Sequence, residues 1–325
     1  MRIFVTGAGG FIGSHLIENL VKSNHEVTAL VHYNGRGTAG WLDSVSGEIK
    51  NSINIEFGDV TDSENMNQVS SGAEVIINLA ALIAIPYSYV APRSYVNTNV
   101  IGTLNICESA RRNGAQLVQI STSEVYGTPE STPIFEDHPL KPQSPYAATK
   151  VAADQLALSY GRSFNFPVSV IRPFNTYGPR QSMRAIIPNI LTQIHSNNNK
   201  VKIGDSFPKR DFTFVKDTAA AISLSINNQL TIDETIQLGA GYCLSIAELV
   251  DLCGKVTGKE IEIETDSQRV RPVKSEVHIL LSNPAKAEKL LGWKASTSLE
   301  EGIAQTYAWM LKNPEKLQDS TKYWK

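Results

Sequence analysis

The sequence contains a tyrosine and a lysine whose spacing is suited to proton transfer. Tyr146 and Lys150 stand four residues apart, so on a helix their side chains share one face. Because an ammonium group close to a phenol favours the phenolate, we expect Lys150 to lower the pKa of Tyr146 from about 10 toward neutrality. Such a phenolate could take a proton from a sugar hydroxyl while a nicotinamide takes hydride from the same carbon.

A polar run follows an apolar segment that is predicted to be a strand. Residues 121–127 read Ser-Thr-Ser-Glu-Val-Tyr-Gly, directly after the strand predicted at 117–121. The carboxyl edge of a parallel sheet is where open α/β folds bind ligands. This placement favours a catalytic role for the Tyr146–Lys150 pair over a packed tyrosine beside a solvated lysine. The hydroxyls of this run, including those of Thr122 and Ser123, are therefore expected at that edge together with the Glu124 carboxylate.

Glycines at positions 7, 10 and 13 lie between a short apolar strand and the amphipathic helix predicted from Ser14 to Lys22. Residues without Cβ let a backbone approach a pyrophosphate, and the helix start offers N–H groups and the positive end of its dipole. The alternative is a glycine-rich turn without a ligand. The predicted cofactor contacts in this turn are Gly7, Gly10, Phe11, Ile12 and Gly13.

The end of the second predicted strand bears on the choice between NAD and NADP. A carboxylate there would bind the ribose 2′-hydroxyl and repel a 2′-phosphate, but none occurs before Asp43. NADP is therefore allowed, with His32 and Arg36 either as phosphate partners or as solvated loop residues. Asp59 and Val60, after the third strand, are placed to receive the adenine edge.

Apolar segments that alternate with helical patterns predict the fold class. Strands are expected at 3–5, 26–31, 53–57, 74–79, 117–121, 168–171 and 235–238. The main helices are expected at 14–22 and 100–112, and a longer one begins at Ser144-Pro145. Such a pattern is typical of an α/β fold with a Rossmann doubly wound parallel sheet. We assign 1–175 and 212–240 to the dinucleotide-binding domain, and 176–211 and 241–325 to a smaller C-terminal substrate-binding lobe.

Composition excludes several classes of function. The 325 residues carry a formal charge of −2, which gives no general attraction to nucleic acid or anionic membranes. Cys107, Cys243 and Cys253 form no CxxC pair, so neither a zinc site nor a disulfide framework is expected. The most apolar stretch, 75–86, is too short to span a bilayer. These features predict a soluble cytoplasmic protein without a metal.

Taken together, the motifs resemble the extended short-chain dehydrogenase/reductase family of nucleotide-sugar epimerases, dehydratases and decarboxylases, over nearly the whole chain. The matching motifs are TGxxGFIG at 6–13, Asn-Leu-Ala-Ala at 78–81, NVxGT at 99–103, YxxxK at 146–150, RPFNTYGPR at 172–180, Arg-Asp-Phe at 210–212, Arg-Pro at 271–272 and Leu-Leu-Gly-Trp at 290–293.

The resemblance implies a role for each matching residue. Thr122 would orient the sugar O4, Tyr146 would be the base and Lys150 would hold the nicotinamide ribose. The motifs after the fourth strand and at the next helix add the cofactor contacts Leu79, Ala80, Ala81 and Asn99. The implied substrate contacts are Ile85, Asn175, Arg180, Arg210 and Arg271. Among these, Asn175, Arg210 and Arg271 would bind the substrate diphosphate, and a guanidinium suits that task because it can bind two oxygens at once.

The reaction that follows C4 oxidation is less closely specified. Glu124 is placed to take the C5 proton in a 4,6-dehydratase, but glucose-type dehydratases carry Thr-Asp-Glu where this chain has Thr-Ser-Glu. The acid is therefore either Glu124 itself or Ser123 with a water. Thr-Ser-Glu also occurs in UDP-glucuronate decarboxylases, and a C4 epimerase needs no such carboxylate.

Segments 31–34, 83–89, 180–182 and 271–277 resemble nucleotide-activated N-acetylglucosamine 4,6-dehydratases of legionaminic-acid-type pathways. This resemblance favours dehydration of UDP- or GDP-linked GlcNAc, with NAD or NADP tightly bound and recycled. It also implies a homodimer built on the helices at 100–112 and 146–160. A catalytically silent nucleotide-binding protein is the non-enzyme alternative.

Overall fold

The computed structural model describes residues 1–196, 199–270 and 272–316. The strands are β1 (Arg2–Thr6), β2 (Glu26–His32), β3 (Ile53–Gly58), β4 (Val75–Asn78), β5 (Gln116–Ile120), β6 (Val168–Pro173), β7 (Asn175–Tyr177), β8 (Lys200–Ile203), β9 (Lys209–Arg210), β10 (Phe212–Phe214), β11 (Thr235–Leu238), β12 (Leu244–Ser245), β13 (Glu262–Thr265) and β14 (Ile279–Leu280). The α-helices are α1 (Phe11–Lys22), α2 (Gly47–Asn51), α3 (Ser63–Val69), α4 (Ile85–Val90), α5 (Pro92–Tyr95), α6 (Gly102–Asn113), α7 (Pro145–Phe164), α8 (Ile186–His195), α9 (Val215–Leu224), α10 (Ile246–Thr257), α11 (Ala285–Leu291) and α12 (Leu299–Lys312).

Seven strands form one parallel sheet in the order β11-β6-β5-β4-β1-β2-β3. The chain order reverses between β1 and β4, and such a switch point opens a crevice at the carboxyl ends of the strands. The predicted Rossmann sheet is confirmed, and each of the seven predicted strands is present.

Helices cover both faces of this sheet because its strands are apolar on both sides. Ile3 and Val5 of β1 pack in one core cluster with Leu16 of α1. Phe4, between them, packs in the opposite cluster with Ile106 of α6. Alternate residues of a strand point to opposite faces, so one short run contributes to both layers.

The helix that carries the candidate catalytic pair begins where the sequence predicts. The Ser144 hydroxyl accepts a hydrogen bond from the Ala147 N–H at 3.1 Å, and Pro145 occupies the first turn of α7. The helix predicted at 100–112 differs at its start, because a π-helical turn (Val96–Ile101) precedes α6. The helices α4 and α5 were not predicted, and Pro86 and Pro92 stand in their first turns.

A further cluster lies among α8, α10 and α12, with Phe212 and Phe214 of β10 and Tyr177 of β7 in the same core. Short paired strands surround it. Among the residues described, no helix is both long enough and apolar enough to cross a membrane.

His15 on α1 connects the first helix to the segment after β7. The side chain is 5% exposed, and its Nε2 lies 3.0 Å from the carbonyl oxygen of Pro179. Burial lowers its pKa from 6.5 to about 4, so the folded protein favours the neutral ring. Because folding lowers this pKa, His15 does not reduce the free energy of unfolding above pH 6.5. As the pH falls toward 4, the unfolded chain takes up a proton that the folded protein does not, and the folded protein loses stability.

We therefore expect the free energy of unfolding to fall by about 3 kcal/mol from this group over that range. Urea unfolding at several pH values measures the loss. His15→Gln keeps a donor for the Pro179 carbonyl and does not titrate, so its stability should depend less steeply on pH. Identical pH dependences for the two proteins would contradict the prediction.

Candidate active site

The glycine turn between β1 and α1 packs closely against itself and against the segment after β4. Gly7 has φ +65°, and a Cβ there would lie 2.9 Å from the backbone nitrogen of Ala80. A Cβ on Gly13 would lie 2.3 Å from the Gly7 carbonyl oxygen. The start of α1 has no side-chain cap and no acidic residue in its first turn, so its N–H groups are available to an anion. The turn therefore fits a dinucleotide pyrophosphate.

Hydrogen bonds tie together the carboxyl ends of the central strands. The Thr6 hydroxyl of β1 donates to Asn78 Oδ1 at 2.7 Å, and Asn78 Nδ2 donates to Gln119 Oε1 at 2.8 Å. Thr6 Oγ1 also accepts from the Ala80 N–H at 3.0 Å. This chain of contacts crosses β1, β4 and β5, and it holds the half-buried segment 79–81 beside the glycine turn.

Asn99 is buried, and its amide contacts protein groups. Its Oδ1 accepts from the Leu82 N–H at 2.8 Å, and its Nδ2 donates to the Leu82 carbonyl and to Thr149 Oγ1, each at 3.0 Å. The side chain thus links the loop after β4 to α7. The structure places this predicted cofactor residue as a support for the loop.

Residues predicted to face the adenosine end lie at the edge formed by β2 and β3. His32 and Arg36 are exposed, and the Arg36 N–H donates to Asn34 Oδ1 at 3.2 Å. His32 Nδ1 lies 3.8 Å from a carboxylate oxygen of Asp59, and Val60 is 6% exposed. The sequence has no carboxylate at the end of β2, but the fold places that of Asp59, which directly follows β3, beside it.

The polar run after β5 forms a short helical turn at the carboxyl edge of the sheet. Thr122 caps this turn, because its Oγ1 accepts from the Glu124 N–H at 3.3 Å. Ser123 is buried, whereas Glu124 is half-buried. The turn brings Thr122 and Glu124 close enough to Tyr146 for both to affect the pKa of its phenol.

Tyr146 is 7% exposed, and its ring centroid lies 6.3 Å from that of Tyr95. Burial raises its pKa far above 10, the charge of Glu124 adds to the rise, and the Thr122 hydroxyl opposes it. The predicted lowering of this pKa by Lys150 is therefore wrong. Desolvation of the phenol outweighs any effect of the lysine, so the protein alone holds Tyr146 in its protonated form.

Lys150 is also buried, at 4% exposure, and its Nζ donates to the Ile120 carbonyl oxygen at 2.6 Å. Burial lowers its pKa to about 8, and the nearby charge of Asp154 partly opposes that shift. The ammonium is thus directed at the end of β5, one residue before the polar run.

The predicted substrate contacts differ in their surroundings. Ile85 is buried in a small cluster with Tyr95 and Tyr146. Asn175 begins β7, and its Oδ1 is buried with no hydrogen-bond partner among the residues described. Arg180 has φ +72° and donates to Ser14 Oγ at 3.2 Å and to Glu18 Oε1 at 2.5 Å, which places it against α1.

Arg210 lies on β9 and is 6% exposed. Its Nη2 donates to Glu276 Oε1 at 2.8 Å, an ion pair whose side chains are 7% and 13% exposed. The guanidinium predicted to grip a diphosphate is thus held in place by a carboxylate. Arg271, predicted for the same task, lies outside the described residues.

Sequence reasoning missed the buried polar groups next to this site. Asp154 and Arg172 form an ion pair at 3.0 Å, with side chains 0% and 3% exposed. Asp154 stands one turn beyond Lys150 on α7, and this spacing of four residues was the available signal. Tyr95, which packs on Tyr146, comes from the unpredicted helix α5.

The strand order, the glycine turn and the buried Tyr146–Lys150 pair define the class of extended short-chain dehydrogenase/reductases, as the motifs implied. The family described as GDP-mannose 4,6 dehydratase matches residues 4–306. The chain belongs to this family. Tyr146, Thr122 and Glu124 lie close together after β5, and this group offers two hydroxyls and one carboxylate.

Relatives include both dehydratases and epimerases. A dTDP-glucose 4,6-dehydratase of Streptomyces griseus is 32% identical over 96% of this chain and 94% of the relative. A putative UDP-glucose 4-epimerase of Methanocaldococcus jannaschii is 31% identical over 96% of this chain and 99% of the relative. The solved structure of a UDP-glucuronic acid 4-epimerase from Bacillus cereus, in complex with UDP-glucuronic acid and NAD, matches with a TM-score of 0.86 and 28% identity, covering 96% of this chain and 100% of that one.

Proposed function

We propose that the protein is a nucleotide-sugar 4,6-dehydratase that converts UDP- or GDP-linked N-acetylglucosamine to the 4-keto-6-deoxy sugar. The observation that carries this proposal is Glu124, a half-buried carboxylate whose charge acts on Tyr146. An epimerase acting through C4 alone needs no such base, whereas water elimination across C5 and C6 does. The family match and the Streptomyces relative support dehydration.

The cofactor in this proposal is NAD, with which the Bacillus cereus structure is in complex. Because hydride leaves C4 and returns at C6, we expect it to be tightly held and recycled. Gly7, Gly10 and Gly13 would admit its pyrophosphate to the start of α1, with Phe11 and Ile12 alongside. When bound, NAD supplies the hydride acceptor for C4 and the hydride donor for C6, and its oxidised ring adds a positive charge that favours the Tyr146 phenolate.

The chain's own residues then divide the proton transfers. Thr122 orients O4, and Tyr146 takes the O4 proton as C4 becomes a ketone. The ketone acidifies the C5 proton, which Glu124 removes. The 6-hydroxyl then leaves as water with a proton from Glu124 or through Ser123 and a water. Return of the hydride to C6 and of one proton to C5, equivalent to the proton that Tyr146 took from O4, makes the overall reaction a loss of water without net redox change.

A nucleotide-sugar 4-epimerase is the second candidate, favoured by the Methanocaldococcus relative and by the Bacillus cereus structure. The N-acetylglucosamine substrate rests on the sequence resemblance of four segments. A homodimer, measurable by light scattering, and a cytoplasmic location stay predictions.

Incubation with UDP-GlcNAc, GDP-GlcNAc and UDP-glucuronate, followed by mass spectrometry, tests the reaction. We expect a product lighter by one water from a GlcNAc nucleotide. An isobaric new sugar would replace the proposal with epimerisation, and loss of carbon dioxide from UDP-glucuronate would replace it with decarboxylation. Tight binding of NAD and sugar nucleotide without turnover would identify a silent binding protein.

A further inference from the structure

A buried carboxylate connects three elements next to the Tyr146–Lys150 pair. Asp154 Oδ2 accepts hydrogen bonds from Ser121 Oγ at 2.8 Å, from Arg172 Nε at 3.1 Å and from Arg172 Nη2 at 3.0 Å. Ser121 directly follows β5 and precedes Thr122, while Arg172 lies on β6. One oxygen atom of α7 is therefore bonded to the end of β5 and to β6.

The network continues from Arg172 to the turn that carries Glu124. Arg172 Nη1 donates to Tyr126 Oη at 2.9 Å, and Gln237 Nε2 donates to the same hydroxyl at 2.8 Å. Tyr126 ends the helical turn that Thr122 begins. The polar run is thus held at both ends, by Asp154 at Ser121 and by Arg172 at Tyr126.

Hydrogen bonding alone does not account for this carboxylate. Asp154 Oδ1 is buried and has no hydrogen-bond partner among the residues described. A buried ion pair adds little net stability compared with apolar side chains of similar volume, and an unsatisfied oxygen makes it more costly. Its location beside another buried charge, Lys150, suggests a further role.

Lys150 has a carbonyl as its hydrogen-bond partner, and a carbonyl carries no compensating net charge. Burial lowers its pKa, and Asp154 is the charged group that raises it. Burial raises the pKa of Tyr146, and Asp154 adds to that rise, as does Glu124 from the turn after β5. Burial raises the pKa of Asp154, and the charged groups that act on it, Arg172 from β6 and Lys150, both oppose that rise. Arg172 Nη1 also donates to the main-chain carbonyl of Glu136 at 3.5 Å.

We propose that Asp154 is a positioning residue for the chemistry at C4: its carboxylate, one turn beyond Lys150 on the same face of α7, is the counter-charge to that ammonium and, through Ser121, holds the segment that presents Thr122 and Glu124. This inference rests on the proposed function for its catalytic meaning. The charge relation between Asp154 and Lys150 does not depend on which sugar is converted.

The direct test measures the titration of Lys150 by NMR, using the signal of its ε-carbon in isotope-labelled protein. Comparison with Lys150→Met assigns that signal. In Asp154→Asn we expect the midpoint to move to lower pH by at least about one unit, because an opposing charge is removed. Ser121→Ala is the matched control, since it removes a hydrogen bond to Asp154 and keeps the charge. Its midpoint should stay in place, as should that of Asp154→Glu.

Asp154→Asn leaves Arg172 buried without its carboxylate and could unfold for that reason. Asp154→Asn combined with Arg172→Gln removes both charges of the pair. In this protein, checked by circular dichroism, we expect the Lys150 midpoint to move in the same direction but by less, because loss of the Arg172 cation acts in the opposite sense. An unchanged midpoint in whichever of these variants folds would overturn the proposal. If neither variant folds, Asp154 is required for the fold itself, and the proposal that it acts on Lys150 is rejected.

The pH profile of turnover provides the functional half of the test. Removing Asp154 lowers the pKa of both Lys150 and Tyr146, so both limbs of the kcat/KM profile should move to lower pH in Asp154→Asn. A residue that only supports the fold would reduce activity without displacing the profile. A shifted Lys150 titration in a protein without dehydratase activity would reject the proposed function alone, whereas active enzyme with unshifted Lys150 would reject the role of Asp154 alone.

Discussion

Replacing Glu124 by glutamine is expected to stop water loss while C4 oxidation continues. Glutamine has the same shape but cannot take the C5 proton, so dehydration should slow by about 10²–10⁴-fold. In the proposed mechanism the half-reaction before this step uses Tyr146 and Thr122, so it should still reduce the cofactor. Absorbance of bound reduced nicotinamide, together with mass analysis of the sugar, measures both events in one experiment.

A matched control is available in the same loop region. Glu130 is exposed and forms an ion pair with Lys141, so Glu130→Gln should leave the dehydration rate unchanged. Because Glu124 also raises the pKa of Tyr146, Glu124→Gln should move the onset of C4 oxidation to lower pH. Full dehydration by Glu124→Gln would remove this residue from the mechanism, and an epimerase would convert its substrate regardless of the change.

Replacing Tyr146 by phenylalanine is expected to reduce turnover by about 10²–10⁴-fold at the first chemical step. The ring packs against Ile85 and Tyr95, and phenylalanine preserves those contacts, so the fold should persist. Without the hydroxyl, the group that we propose accepts the O4 proton is missing. Steady-state kinetics and the absorbance of reduced nicotinamide, which should not appear, measure the loss.

Tyr160→Phe is the control for this change. Tyr160 lies on the same helix, and its hydroxyl donates to Glu108 at 2.8 Å on the α6 side. Loss of that hydroxyl should leave kcat unchanged, and circular dichroism should report the same helix content in both variants. Conversion by Tyr146→Phe at the rate of the unaltered protein would contradict the assignment of the base.

Local sequence patterns were sufficient to predict the sheet and the start of α7. β4, with Ile76 and Ile77, and β5, with Val118, carry buried apolar side chains, and strands that are apolar on both faces are typical of a covered parallel sheet. Ser144-Pro145 predicts a helix start through capping and the first-turn preference of proline. The wide π-helical turn at Val96–Ile101 carries no comparable local signal, and the prediction placed only its last residues in a helix.

In the candidate site, too, some features follow from the sequence and others only from the tertiary structure. The sequence by itself determined which groups are available: a glycine turn before a helix, a tyrosine and lysine one turn apart, and a Thr-Ser-Glu run after a strand. Tertiary structure alone decided their environment. It buried Tyr146 and so raised the pKa that spacing predicted would fall, and it paired Arg210 with Glu276. It also paired Asp154 of α7 with Arg172 of β6, because these two elements meet only once the sheet is assembled. The burial that shifts a pKa likewise depends on contacts between residues that are distant in the sequence.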